Sequence, residues 1–243
     1  MNLCEPSTSA TTPSVSSTPS APSVTSLDPA DSEPTFVYGL LMSVLVPRGV
    51  AWVSTVSADG VPNLAPFGWN GAVSGRPPIL HFTSRPRHGG DETAPRWKDS
   101  WVNAVATGGF VVNVASVDLQ AALNTSSAEV GPEVDEFRLA GVTPVSGEAQ
   151  PAPRVAEAPV SIECRTHSTH EIGESVMTFG QVVRIHVRTE VLAADGWADL
   201  AALDPLAKLG RQEWGRTVIL YGCTGADRRH PASGRRPDAA GLV

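Results

Sequence analysis

The strongest constraint on this chain is a hairpin. Apolar and small polar residues alternate from Val50 to Ser57, and Asp59-Gly60 follows as a tight turn. A second short extended run then reaches Asn63-Leu64-Ala65-Pro66-Phe67. Alternation turns one face of a strand toward a core, and Asp-Gly between two such runs is a strong hairpin signal. Small side chains and a proline in the second run let its backbone N–H and C=O groups approach the polar edge of a planar ligand.

Further strands are predicted over 79–84, 109–115, 159–166, 176–190 and 217–222, beside those at 50–57 and 61–66. The stretch from Val182 to Arg188 alternates and suits a strand with one buried face. Helices are predicted over 97–107, 117–124 and 199–209, with Asp118 capping or complementing the start of the second. Many short strands and few helices give a mainly β fold, a barrel with helical additions. There is no internal repeat.

Residues 1–34 are dominated by Ser, Thr, Pro and Ala. With few large apolar side chains to bury, this tail is expected to be disordered. A folded domain is expected over 35–223, and 224–243 reads as a loose basic tail. All 6 tryptophans fall inside the central segment.

A net charge of −7 offers no basic stripe to nucleic acid. The 3 cysteines, Cys4, Cys164 and Cys223, form no CxxC pair, which points to reduced thiols. The apolar run Phe36–Val46 has roughly half the length that a membrane span needs. No secretory leader pattern stands at the N-terminus, so a cytoplasmic location is expected.

The motifs in order carry a resemblance. Trp52-Val53-Ser54-Thr55, Asp59-Gly60 and Asn63–Phe67 are followed by Lys98-Asp99-Ser100 and Gly109-Phe110-Val111-Val112-Asn113. Then come Asp135-Glu136-Phe137 with Ala140-Gly141, Arg154-Val155-Ala156-Glu157, Ile162-Glu163-Cys164 and Leu209-Gly210-Arg211. Over about 40–222 the chain resembles the flavin reductase-like proteins, which are FMN-binding split β-barrels.

The resemblance implies a set of cofactor contacts. Ser54 and Thr55 would offer hydroxyls to the phosphate or the ribityl chain; ordinary strand content is the alternative. Lys98 and Ser100 would hold the phosphate at a helix start, where backbone N–H groups are unpaired. Asp99 would share the site; its role as a simple N-cap is the competing view, and both can hold at once. Ser84, Arg85 and Arg87 follow a strand whose end reaches the ribityl or phosphate group in the family. Asn63, Leu64, Ala65, Pro66, Phe67 and Gly68 would give main-chain contacts to the isoalloxazine. Gly68 stands where a hydroxyl residue is common, and Trp69-Asn70 replace a more usual aromatic pair. No catalytic side chain is recognisable, as hydride chemistry belongs to the cofactor.

His167 and His170 lack a carboxylate or cysteine partner at ligand spacing, so they are pocket or surface histidines and no metal site is expected. His81 reads as a sheet residue with a satisfied hydrogen bond, and Trp214 as core, dimer contact or flavin neighbour. FMN is expected over FAD, because no Gly-rich turn for a pyrophosphate is present. Three functions follow: an oxidoreductase passing hydride from NADH or NADPH to flavin, a flavin-dependent oxygenase acting on an organic substrate, or a non-catalytic flavin binder. The partners implied are a small-molecule substrate or free flavin and a second copy of the chain in a homodimer, with neither nucleic acid nor membrane.

Overall fold

A computed structural model describes residues 22–87 and 96–218. The chain divides between Leu40 and Leu41 into two units. In the first, Asp28 caps a short 3-10 turn at Pro29–Asp31, and α1 (Pro34–Val44) begins. Everything that follows lies in the second unit.

That unit is a split barrel built on a seven-stranded antiparallel sheet. Its strands are β2 (Ala51–Val56), β3 (Pro62–Phe67), β4 (Asn70–Gly75), β5 (Pro78–Ser84), β6 (Gly109–Val114), β9 (Val160–Ile172) and β10 (Ser175–Val187). They lie in the order β3-β2-β6-β9-β10-β5-β4. Three short strands, β1 (Arg48–Gly49), β11 (Leu206–Lys208) and β12 (Trp214–Arg216), form a second sheet. A two-stranded ribbon joins β7 (Pro144–Val145) to β8 (Arg154–Val155).

The hairpin forms as its alternation requires. Trp52 pairs with Pro66 and Asn113, and Val53 with Ala65 and Val112, so neighbouring residues of β2 feed opposite faces. On one face Trp52, Leu64, Leu123, Phe137 and Val155 form a core. On the other, Val53, Phe67, Phe82, Phe110 and Cys164 form a second. Phe110 lies so close to β10 that a Cβ at Gly180 would sit 2.4 Å from its Cζ, which only glycine avoids.

The connections carry the helices α2 (Asp99–Ala106), α3 (Gln120–Thr125), α4 (Glu136–Ala140) and α5 (Leu200–Leu203). Asp135 caps α4 by accepting from the Arg138 N–H at 3.1 Å, and Gly141 ends it in the left-handed region. The expected helix over 117–124 is a 3-10 turn at Val117–Leu119 leading into α3.

One expectation needs correction. The helix over 199–209 stops at Leu203, where Asp204 turns left-handed and Pro205 follows; Leu206–Lys208 is a strand instead. Among the described residues the last strand is Trp214–Arg216; of the strand expected over 217–222, residues 217–218 lie in no strand and 219–222 lie outside the described residues. Cys4, Cys223, the tail at 224–243 and most of the tail at 1–34 also lie outside them. Cys164 is buried, and burial with the nearby Glu163 charge pushes its thiol up to about 12. Among the described residues no helix is long and apolar enough to cross a membrane.

Candidate functional site

Three segments meet beside the edge strand β3. The first is β3 itself, from Asn63 to Phe67. The second is the start of α2, where Lys98 is the N-cap in an extended conformation and Asp99 opens the helix. The competing view of Asp99 as the cap is therefore corrected: its carboxylate sits in the first turn, where the helix dipole favours negative charge. The third is the loop 126–130 after α3, together with Glu136 at the start of α4. Between them lies a cleft of about 130 Å³.

Eight of the expected residues line this cleft: Asn63, Ala65, Pro66, Phe67, Arg87, Lys98, Asp99 and Ser100. Two cations converge there, each with an acidic neighbour. Arg87 pairs with Asp99 and donates to the Val130 carbonyl at 3.0 Å. Lys98 Nζ lies 3.5 Å from Glu129, both side chains about one-third exposed.

Three others lie beneath the cleft wall. Ser54 is fully buried on the Trp52 face, where it donates to the Pro153 carbonyl at 2.5 Å and accepts from Asn113 at 3.1 Å. Its hydroxyl is committed inside the protein, which corrects its expected role as a ligand donor. Thr55 is buried on the opposite face and donates to Asn63 Oδ1 at 3.0 Å, so it acts on the cleft only through Asn63. Leu64 packs its side chain in the core, and its N–H, turned outward from the sheet edge, donates to Glu136 Oε2 at 3.2 Å.

The remaining three lie elsewhere. Ser84 is buried and donates to the Arg85 carbonyl at 3.3 Å. Arg85 forms a 2.7 Å ion pair with Glu174 near the tip of the β9–β10 hairpin. Gly68 faces the Arg48 guanidinium, which lies 5.8 Å from the Trp69 ring centroid.

Sequence reasoning missed Ser126, Ser127, Ala128, Glu129, Val130 and Glu136. The Asp135-Glu136-Phe137 motif was the available signal for the last. Glu136 is only 4% exposed, and it takes the Asn63 amide N–H on Oε1 at 2.9 Å. Burial pushes its carboxyl up to about 7, with Asp99 adding to the rise; the backbone N–H groups and the Asn63 amide oppose it.

The other singled-out residues are placed plainly. His81 lies in β5 with its ring 5.9 Å from Phe179, but its buried Nδ1 has no hydrogen-bond partner, which corrects the expected satisfied bond. Burial lowers its pKa. His170 meets Phe179 edge-on at 5.6 Å. Trp214 packs on the first core, with Lys208 Nζ 4.5 Å above its ring. Among the described residues no three His, Cys, Asp or Glu side chains cluster as metal ligands would.

Two cations and a helix start around a small opening could hold a phosphate monoester, while the Ser100, Ser126 and Ser127 hydroxyls donate to Asn63, Leu123 and Asn124 inside the protein. The cleft is smaller than the roughly 300–1,000 Å³ of pockets that enclose a whole ligand. It has room for a phosphate group.

Comparison with known proteins agrees with this architecture. An uncharacterized protein of Aquifex aeolicus is 34% identical over 174 residues, covering 72% of this chain and 86% of its own length. The nitrilotriacetate monooxygenase component B of Bacillus cereus superposes with a TM-score of 0.77 at 27% identity, covering 84% of this chain and 100% of that one. Flavoredoxin of Desulfovibrio vulgaris shares the fold with a TM-score of 0.64 at 23% identity, over 74% of this chain and 92% of its own. The family model for the flavin reductase-like domain matches residues 42–206, and the chain belongs to that family.

Proposed function

We propose that this protein is an FMN-binding oxidoreductase that accepts hydride from NADH or NADPH. The observation that carries the reading is the cleft at the start of α2, which Lys98 and Arg87 line together with Ala65, Pro66 and Phe67. Lys98 and Arg87 would neutralise the phosphate, exchanging Glu129 and Asp99 for it. The α2 N–H groups would complete the phosphate contacts. The Ala65-Pro66-Phe67 segment of the edge strand would support the ring and keep water from one side of it. When bound, the flavin supplies the hydride acceptor, and the protein's part is to fix its orientation toward a nicotinamide.

The reading extends to a cytoplasmic homodimer. A cleft too small to enclose a whole mononucleotide calls for a second surface to cover the ring. Phe36, Leu41, Val44 and Leu45 leave apolar area exposed that an obligate interface would bury. Closed two-fold symmetry is also the commonest assembly of soluble chains.

The visible spectrum of the purified protein tests the core of the reading. Flavin bands that bleach anaerobically on adding NADH or NADPH are expected. A protein that takes up no FMN from excess, or whose flavin neither nucleotide reduces, would overturn it. Light scattering tests the assembly: a particle of 25.4 kDa with full flavin occupancy would refute the shared site.

A further inference from the structure

We propose that Glu136 is a proton-dependent positioning residue: through the Asn63 amide it decides whether the Ser100 hydroxyl donates into the protein or into the cleft, toward a phosphate monoester. The identity of that ligand rests on the flavin reading above; the relay itself does not.

The relay is a chain of hydrogen bonds crossing from α4 to α2 under the edge strand. Asn63 Nδ2 donates to Glu136 Oε1 at 2.9 Å. Asn63 Oδ1 accepts from Thr55 at 3.0 Å and from Ser100 at 2.8 Å. Asn103 Nδ2 donates to the Thr55 hydroxyl at 3.2 Å. Glu136, Asn63, Thr55, Ser100 and Asn103 are all buried.

An ionised carboxylate only accepts, so it fixes the amide with its NH₂ toward Glu136 and its oxygen toward the two hydroxyls. Ser100 has a single proton, and that proton is spent on Asn63. Yet Ser100 lines the cleft. In this arrangement a phosphate arriving there meets only the lone pairs of the hydroxyl, oxygen against oxygen.

One proton on Glu136 Oε1 reverses the chain. The carboxyl O–H then donates to Asn63 Oδ1 once the amide has turned over. The two Nδ2 protons serve Thr55 and Ser100. The Thr55 O–H then donates to the Asn103 amide oxygen as that amide turns in step, and the Ser100 O–H, keeping its proton, donates into the cleft. Water supplies the single proton taken up, and no other bond is made or broken. Leu64 N–H keeps its acceptor, Glu136 Oε2, throughout.

The surrounding charges favour this switch near neutral pH. Burial and the Asp99 charge from α2 already hold the Glu136 carboxyl at about 7. The other charged groups lining the cleft are Arg87, paired with Asp99, and Lys98, paired with Glu129. A dianionic phosphate adds negative charge beside Glu136 and favours its protonation further. Ligand binding and proton uptake therefore reinforce each other, as reciprocal linkage requires.

The test is affinity against pH for the full chain, with FMN, riboflavin and inorganic phosphate as probes. Between pH 7 and 9 the FMN phosphate, a monoester, is dianionic, its second ionisation lying at about 6; inorganic phosphate is compared only between pH 8 and 9, where it too is mainly the dianion. FMN affinity is expected to fall with rising pH, by up to about tenfold per unit for one linked proton. Riboflavin affinity should stay level. Glu136→Gln, whose amide donates to Asn63 and accepts from Leu64, holds the chain in its protonated arrangement. It should bind FMN at pH 9 at least as tightly as the parent does at pH 7. Ser100→Ala should flatten the slope while Glu136 remains.

A level FMN affinity in the parent overturns the relay and leaves the flavin reading standing. Ser100→Ala retaining the parent's full slope also overturns it, because simple repulsion by the Glu136 charge would then suffice. Inorganic phosphate showing the slope while FMN fails to bind upholds the relay and removes the flavin reading. Failure of both phosphate-bearing probes to bind overturns both.

Discussion

The Trp52 indole N–H donates to the Ser126 hydroxyl at 2.8 Å, tying β2, the strand next to the sheet edge, to the loop that walls the cleft. Trp52 is fully buried, and Ser126 passes its own proton to the Leu123 carbonyl at 2.8 Å. The loop position is thus set by a core residue 74 positions away in sequence.

Trp52→Phe is expected to remove that bond, leave a small void and cost about 2–4 kcal/mol in stability. It should also weaken FMN binding, because Glu129 and Val130 lose their anchor. Chemical denaturation and an FMN titration on the same protein check this. A destabilised variant with the parent's FMN affinity would show that the loop holds its place without Trp52.

Lys98 and Glu129 give a pair of opposed outcomes. Lys98→Ala should weaken FMN binding by roughly 1.5–3 kcal/mol, the range for a hydrogen bond to a charged group. Glu129→Gln should tighten it several-fold, because Lys98 no longer has to exchange one anion for another. Neither change should move the melting temperature much, as an ion pair one-third exposed to water contributes little. Fluorescence quenching of the flavin reads both affinities, and equal values for parent and Lys98→Ala would assign the phosphate to another residue.

How much of this was legible in the sequence differs by residue. The hairpin and its turn follow from alternation and Asp59-Gly60, and the structure places them as read. Alternation also held a warning: Ser54 and Thr55 are consecutive in a strand, so they face opposite sides and cannot both reach one phosphate. Lys98, Asp99 and Ser100 were legible because a helix start and its charges are local in sequence. Glu136 was not, since a glutamate in a five-residue helix is ordinarily solvated. Only the docking of α4 against the edge of β3 buries it. The helix over 199–209 failed for a local reason that was in view, the Asp204-Pro205 break.

Glu163 anchors a different segment and predicts acid sensitivity. Fully buried in β9, it accepts from the N–H groups of Glu148, Ala149 and Gln150 at 2.9, 2.7 and 2.8 Å, and from His186 Nε2 at 2.7 Å. Burial alone would raise its pKa, but these donors outweigh it and hold the carboxyl below its ordinary value. A depressed folded-state pKa gives stability that is present above the unfolded-state value and lost as pH falls through the folded one. Glu163→Gln should cost about 1.5–3 kcal/mol at pH 7. The gap to the parent should close as the pH falls below the ordinary carboxylate range. A gap unchanged down to acid would mean that the carboxylate charge is not what the segment 148–150 recognises.

Glu136 carries the opposite sign. Its folded-state carboxyl lies at about 7, above the ordinary value of 4.5. Between those two values the folded state holds a proton that the unfolded chain has released. Its contribution to stability therefore falls as pH rises through that window and stays low above pH 7. A shift of this size corresponds to roughly 3 kcal/mol, at about 1.4 kcal/mol per unit. Glu136→Gln, which cannot ionise, should gain on the parent by up to that amount between pH 5 and pH 8. Denaturation midpoints of the two ligand-free proteins across this range measure the gap. If the gap stays constant with pH, Glu136 titrates alike in the folded and unfolded chains, and the buried carboxyl has been misread.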